Sequence, residues 1–298
     1  MRPPAVAVAA SLVALLVVDV AVVLLHDEAV PYRPEQALTD FRAQALRGPS
    51  PSPSPSRSSA TDSVASTAPA GPSAAPAAAP TARTRTAAPT ATAAAAPAEV
   101  EEGVYRYATS GHEEVDVLGG SRHDYPAETA VTFRRSGCGV EDRWQPLEGR
   151  FSANDVCRGS RGLEVRESVQ RRTFFSQSEE QDLVCTAPVV LVPDDARAGQ
   201  TSTGTCRSDD TEVRLTARVV DVRDMTVGGR QVQAVHVSVD GTLTGATRGT
   251  THREEWFDRG GLLLRAAATT DTDRDTDAGV VHYDEAFELR LLSLDPQR

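Results

Sequence analysis

Asp271, Asp273, Asp275 and Asp277 alternate along one short run, and Asp284 follows. A calcium loop starting at Asp273 would place Asp at its first, third, fifth and last ligand positions. Ala278 then stands where such a loop takes Gly, and the last ligand is Asp284 rather than a bidentate Glu. The same residues at the tip of a hairpin, between strands over 262–270 and 279–292, make a charged, soluble turn. That is the expectation, with calcium on Asp273, Asp275, Asp277 and Asp284 as the alternative. Among the six His, His282 shares a strand face with Asp284, and His252 lies near Glu254 and Glu255. Both read as solvated faces. No Gly-x-Ser-x-Gly, His-Glu-x-x-His or phosphate-loop motif occurs. No catalytic residue and no cofactor are expected, and the chain does not read as an enzyme.

The four cysteines lack the short spacing of a zinc site. They allow three disulfide pairings, of which the sequence favours Cys138–Cys157 and Cys185–Cys206. A hairpin of 138–146 with 149–157, turning at Leu147-Glu148, puts the first pair face to face. Pro193-Asp194-Asp195-Ala196 centres the second pair on a turn. Paired cysteines fit an oxidising compartment and leave no thiol nucleophile.

These residues need strands to hold them. Val213, Leu215, Ala217 and Val219 alternate with polar residues, as do Val235, Val237 and Val239, and Phe287, Leu289 and Leu291. That period of two marks half-buried strands. Gly119-Gly120, Gly228-Gly229 and Gly260-Gly261 supply turns. The reading is a mainly β extracytoplasmic domain over 99–298, an antiparallel meander of half-barrel or barrel-like form. Trp144, Trp256 and Phe257 read as core or sheet edge.

Upstream the character changes. Ala5–Leu25 holds five Leu and eight Val, with Ser11 and Asp19 as its polar members. Each Leu or Val contributes roughly −0.3 to −0.6 kcal/mol to insertion, against about +2.5 to +3.5 for one central Asp. The sum favours a transmembrane signal anchor over 5–25. Arg2 lies before it and Asp27 and Glu28 after it, so 1–4 are expected in the cytoplasm and the remainder outside. Pro34 to Arg47 reads as a short helix within a juxtamembrane segment over 26–47, with Leu38, Phe41 and Ala45 on one face. Of the 51 residues over 48–98, 44 are Pro, Ala, Ser or Thr, the composition of a disordered linker and spacer. The net charge of −11 falls after residue 99, so nucleic acid is not an expected partner. The chain has no Lys and abundant Ala, Arg and Val, which points to a high-GC genome such as an actinobacterium's.

The run Asp224–Val239, with its Gly228-Gly229 turn, is followed by Thr251–Arg265, with Trp256-Phe257 before Gly260-Gly261. This pattern over about 213–294 resembles β half-barrel envelope proteins of the lipoprotein-carrier type and their mycobacterial lipid-carrying relatives. The resemblance implies a curved sheet with an apolar concave face. Val235, Val237, Val239, Phe287, Leu289 and Leu291 share the inward phase of their strands and are the candidate ligand-facing residues. The expected function is a non-enzymatic, membrane-anchored cell-surface module that binds a lipid or other apolar ligand. The alternative is a structural or protein-partner-binding envelope module with no small ligand.

Overall fold

The computed structural model describes residues 27–47, 99–276 and 279–298. The anchor expected over 5–25, the linker over 48–98 and Asp277 lie outside them. Among the described residues no helix is long and apolar enough to cross a membrane.

Among the described residues one helix, α1 (Pro34–Arg47), precedes the sheet. Pro34 suits its first turn, where no intrahelical N–H partner is lost. Gln36 Oε1 accepts the Arg33 N–H at 2.7 Å, satisfying one of the donors a helix start leaves free. Its buried face is Pro34 and Ala37, flanked by Leu38 and Phe41, and packs on Val104 and Ala130. Ala45, expected on that face, is exposed, as is the rest of the last turn.

The strands are β1 (Gly103–Val115), β2 (Ser121–Asp124), β3 (Glu128–Ser136), β4 (Gly139–Leu147), β5 (Arg150–Gly159), β6 (Gly162–Phe174) and β7 (Gln177–Pro193). They continue as β8 (Thr201–Arg207), β9 (Thr211–Val227), β10 (Arg230–Gly245), β11 (Thr247–Phe257), β12 (Leu263–Thr276) and β13 (Gly279–Leu291). All pairings are antiparallel, and from β3 to β13 each strand pairs with the next. One edge of β1 pairs with β3 and β2. Its other edge pairs with β13, from Tyr107 opposite Leu291 to Val115 opposite Tyr283. The meander therefore closes on itself, which removes the exposed edges an open sheet would leave.

Gly111 sits in this seam at φ +141°, and a Cβ there would lie 2.2 Å from the Ala286 carbonyl oxygen. The strands can approach this closely because Gly111 carries no side chain.

Alternation became burial as the sequence implied. Val213, Leu215, Ala217 and Val219 are buried while Arg214, Thr216 and Arg218 face out. They join Val189, Val235, Val237 and Val239 in one apolar cluster. A second cluster is aromatic-rich, built on Tyr107, Phe133, Trp144, Leu264 and Leu289. Trp144 donates its indole N–H to Thr129 Oγ1 at 3.0 Å, so its polar edge is satisfied in the core. Both expected disulfides are formed, Cys138–Cys157 and Cys185–Cys206. Cys185 lies directly opposite Cys206 across β7 and β8.

Candidate functional site

The inward phase of β13 runs Tyr283, Glu285, Phe287, Leu289, Leu291, and that of β1 runs Tyr105, Tyr107, Thr109, Gly111, Glu113. Two carboxylates thus occupy core positions, and both are almost wholly buried. Arg150, at the start of β5, is 2% exposed and meets them. Its Nε and Nη2 donate to Glu285 Oε1 at 3.1 and 2.8 Å, and Nε lies 3.6 Å from Glu113 Oε2. Tyr125 donates to the same Glu285 oxygen at 2.5 Å, and Tyr283 to Glu113 Oε2 at 3.2 Å. His123 Nδ1 is 3.1 Å from Glu113 Oε1, and its ring stacks on Phe174 at 4.5 Å. The Arg172 guanidinium lies 4.0 Å over the Tyr283 ring.

The electrostatics follow from burial set against opposite charge. Burial pushes the Glu285 carboxyl up, but Arg150 and Arg172 outweigh it and hold the group below its usual range. Burial, reinforced by Glu285, pushes the Tyr125 and Tyr283 hydroxyls up, so both stay protonated donors. For His123, burial lowers the pKa, while Glu113 and Asp27 raise it further than burial lowers it. Glu113, Glu285 and Asp27 thereby face Arg150, Arg172 and His123, three groups of each sign. The two buried glutamates are tolerated because Glu285 accepts from Arg150 and Tyr125, and Glu113 is held by Tyr283 and His123.

Above the cluster is a cavity of about 120 Å³. Val165, Leu183, Val213, Leu215, Ala268 and Phe287 form an apolar patch in its lining; the rest is mostly polar and includes Arg150, Arg172, Gln170, Gln181 and Glu285. Arg150 Nη1, Arg172 Nε and Gln181 Nε2 are buried there with no hydrogen-bond partner among the described residues. A guanidinium only donates, so whatever satisfies the two arginines must accept. A second cavity of about 80 Å³, which shares Val165 and Phe287 with the first, reaches Asp142, whose carboxyl is pushed up to about 7 by burial although Asn154 Nδ2 donates to it at 2.8 Å.

The candidate ligand-facing residues divide. Phe287 lines both cavities and Leu289 the smaller. Val237 belongs to the floor of a separate cleft of about 410 Å³ at the other end of the sheet, rimmed by Arg161, Asp194 and Gln200. Val235, Val239 and Leu291 are packed in the two apolar clusters. Sequence reading singled out none of Arg150, Arg172, Glu113 or Glu285. The available signal was a Glu in the inward phase of an otherwise apolar strand.

Asp271, Asp273 and Asp275 lie in β12 rather than in a loop. Asp271 is opposite Asp284, and Asp273 opposite His282, across β12 and β13. His282 Nδ1 is 3.0 Å from Asp273 and its Nε2 3.1 Å from Asp284, while Asp275 accepts from Arg248 at 2.8 Å. Asp271, His282 and Asp284 could together approach one cation. The His282 pKa is nonetheless raised by its bond to Asp273, which favours the protonated ring that cannot ligate a metal. A flat ladder of ion pairs does not wrap an ion as a calcium loop does. His236 is similarly placed, stacked on Trp256 and 2.5 Å from Glu254.

No protein-family model, no curated protein and no solved structure matches this chain.

Proposed function

We propose that this chain is a non-enzymatic, membrane-anchored module, outside the cytoplasm, whose closed sheet binds a small ligand with an accepting head and a short apolar body. The observation that carries this reading is the pair of buried guanidinium donors, Arg150 Nη1 and Arg172 Nε, that find no acceptor among the described residues, in one cavity of mixed lining with an apolar patch at Val165, Leu183, Leu215 and Phe287. Leaving such a donor unsatisfied costs on the order of 1–3 kcal/mol, so a ligand that accepts from both recovers that energy. Size restricts the ligand. About 120 Å³ is the liquid share of roughly four waters and falls below the ~300–1,000 Å³ of drug-sized sites. A long acyl chain does not fit there. The apolar-floored cleft of about 410 Å³ is the place for a lipid-sized ligand.

The test uses the full chain in mild detergent, with its melting followed in a series of carboxylates from acetate to hexanoate. A ligand at a hundred times its Kd adds about 2.7 kcal/mol, which raises the melting temperature by roughly 5–11 °C for a domain of this size. Ala268→Leu, which intrudes into the cavity, should abolish the rise without lowering the melting temperature of the free protein. If no member of the series raises the melting temperature, and protein from its own membranes has its bare mass in native mass spectrometry, the binding reading is wrong. The structural or partner-binding module is then the better one. Val235 and Val239, without solvent exposure and packed in one apolar cluster, favour it.

A further inference from the structure

Residues 27–42 are fastened to the β domain by a series of contacts. Asp27 Oδ1 accepts the Phe175 N–H at 2.8 Å, and Oδ2 is 3.1 Å from His123 Nε2. Only 11% of the Asp27 side chain is exposed. Phe175 and Ser176 hold φ of 50° and 61° in the β6–β7 turn, a conformation usually left to Gly and Asn. The Asp27 carboxylate caps the amide of this unusual turn. The next residues lie along the end of β4. Tyr32 N–H bonds the Pro146 carbonyl at 3.0 Å and Glu148 N–H the Val30 carbonyl at 2.8 Å. Helix α1 then covers Val104 and Ala130, and the Arg134 guanidinium lies 5.0 Å over Phe41. Finally Arg42 donates to the Arg298 carbonyl at 2.6 and 3.1 Å, and Arg298 pairs with Glu101. The chain on both sides of 48–98 is therefore held by the same domain.

Chain reach gives this a consequence. Leu25 ends the apolar run two residues before Asp27, a span of at most ~7 Å. As a tether, the 51 residues of 48–98 could reach up to ~170 Å. We propose that residues 27–47 are an intramolecular clasp that seats the β domain directly on the lipid headgroup surface, its His123–Phe175 end toward the membrane. Residues 48–98 are then an excursion that leaves and re-enters the domain, not the spacer that holds it off. This rests on the reading of 5–25 as an anchor.

The test is made on the full chain in bacterial membranes, with a site for a sequence-specific protease inserted between Ala70 and Gly71. After complete cutting and washing, the C-terminal fragment should stay in the membrane pellet and leave it only in denaturant. Its release by cleavage alone overturns the clasp. A variant with Asp27→Ala and Phe41→Ala should shed the fragment several-fold faster once cut, and remain in the pellet uncut. Equal retention of the cut variant and the cut parent overturns the assignment of the clasp to these contacts. Uncut parent in the supernatant overturns the anchor, and with it the membrane seat. In that case co-elution of the two cut halves on a sizing column still upholds the clasp, and separate elution overturns it.

Discussion

Replacing Arg150 with Met takes the central cation out of the buried cluster and leaves a side chain of similar length. Glu285 and Glu113, 4% and 0% exposed, then keep their burial but lose the guanidinium at 2.8 and 3.6 Å. Breaking one side of a buried ion pair costs about 3–5 kcal/mol, because the remaining charge is left uncompensated. For a domain of about 200 residues that lowers the melting temperature by roughly 6–20 °C. The pH dependence separates charge from packing. In the parent, Glu285 is held below its usual range, so its contribution is present above the unfolded pKa and lost as pH falls through the folded one. Without Arg150, burial dominates and the folded pKa of Glu285 rises above the unfolded value. The variant then recovers stability relative to the parent as the solution is acidified. The assay is thermal melting of both full-length proteins in mild detergent from neutral pH into the carboxylate range. A deficit that does not narrow with acid would refute the electrostatic account and leave lost packing as the cause.

Three further outcomes are expected. Gly111→Ala should lower stability by about 1–3 kcal/mol in denaturant titration, since its Cβ would meet the Ala286 carbonyl at the closing seam; an unchanged midpoint would mean that the seam is not closed this tightly. The stabilisation from His123, whose folded pKa is raised above 6.5, should be complete below that value and lost as pH rises through the folded pKa. Asp27→Asn should move that loss to lower pH, and a loss at the same pH in both proteins would show that Asp27 does not act on this ring. Non-reducing peptide mapping should return Cys138–Cys157 and Cys185–Cys206, and each bridge, closing a loop of 19 or 21 residues, should contribute about 3 kcal/mol that reduction removes.

What could be read from the sequence was local. The alternation at 213–219, 235–239 and 287–291 fixed strand phase, because a strand with one buried face repeats every two residues. The cysteine pairs followed from expected hairpins, although the first is shifted by one residue: its turn is Glu148-Gly149, and Gly139 rather than Cys138 stands opposite Cys157. The helix at Pro34–Arg47 followed from its end residues, and the structure has the same limits. The closing pair, β1 with β13, joins residues more than 160 positions apart, such as Val115 and Tyr283. No single-strand pattern specifies such a partner. Glu113 and Glu285 were passed over for a related reason. A carboxylate in an inward phase is forbidden alone and allowed only with its cation. That cation, Arg150, comes from a strand far away in sequence.

The same logic joins the cluster to the clasp. Glu113, Glu285, Arg150 and Arg172 come from β1, β13, β5 and β6, so closing the sheet is what assembles them. The sixth charge, Asp27, comes from none of the strands. With the sheet alone, His123 would have Glu113 on one ring nitrogen and no carboxylate on the other. That nitrogen would keep only the Ser121 hydroxyl at 3.4 Å, and Asp27 adds a carboxylate to it at 3.1 Å while also accepting from the Phe175 amide. Docking of residues 27–47 is therefore more than a surface contact of an apolar helix face. It completes the charge balance of the interior, so loosening the clasp should weaken the barrel end that carries the cluster, and breaking the cluster should weaken the clasp. Double-mutant cycles between Asp27→Asn and Glu113→Gln read this directly, since both carboxylates act through His123. Additive effects of the two substitutions on the melting temperature would sever the link.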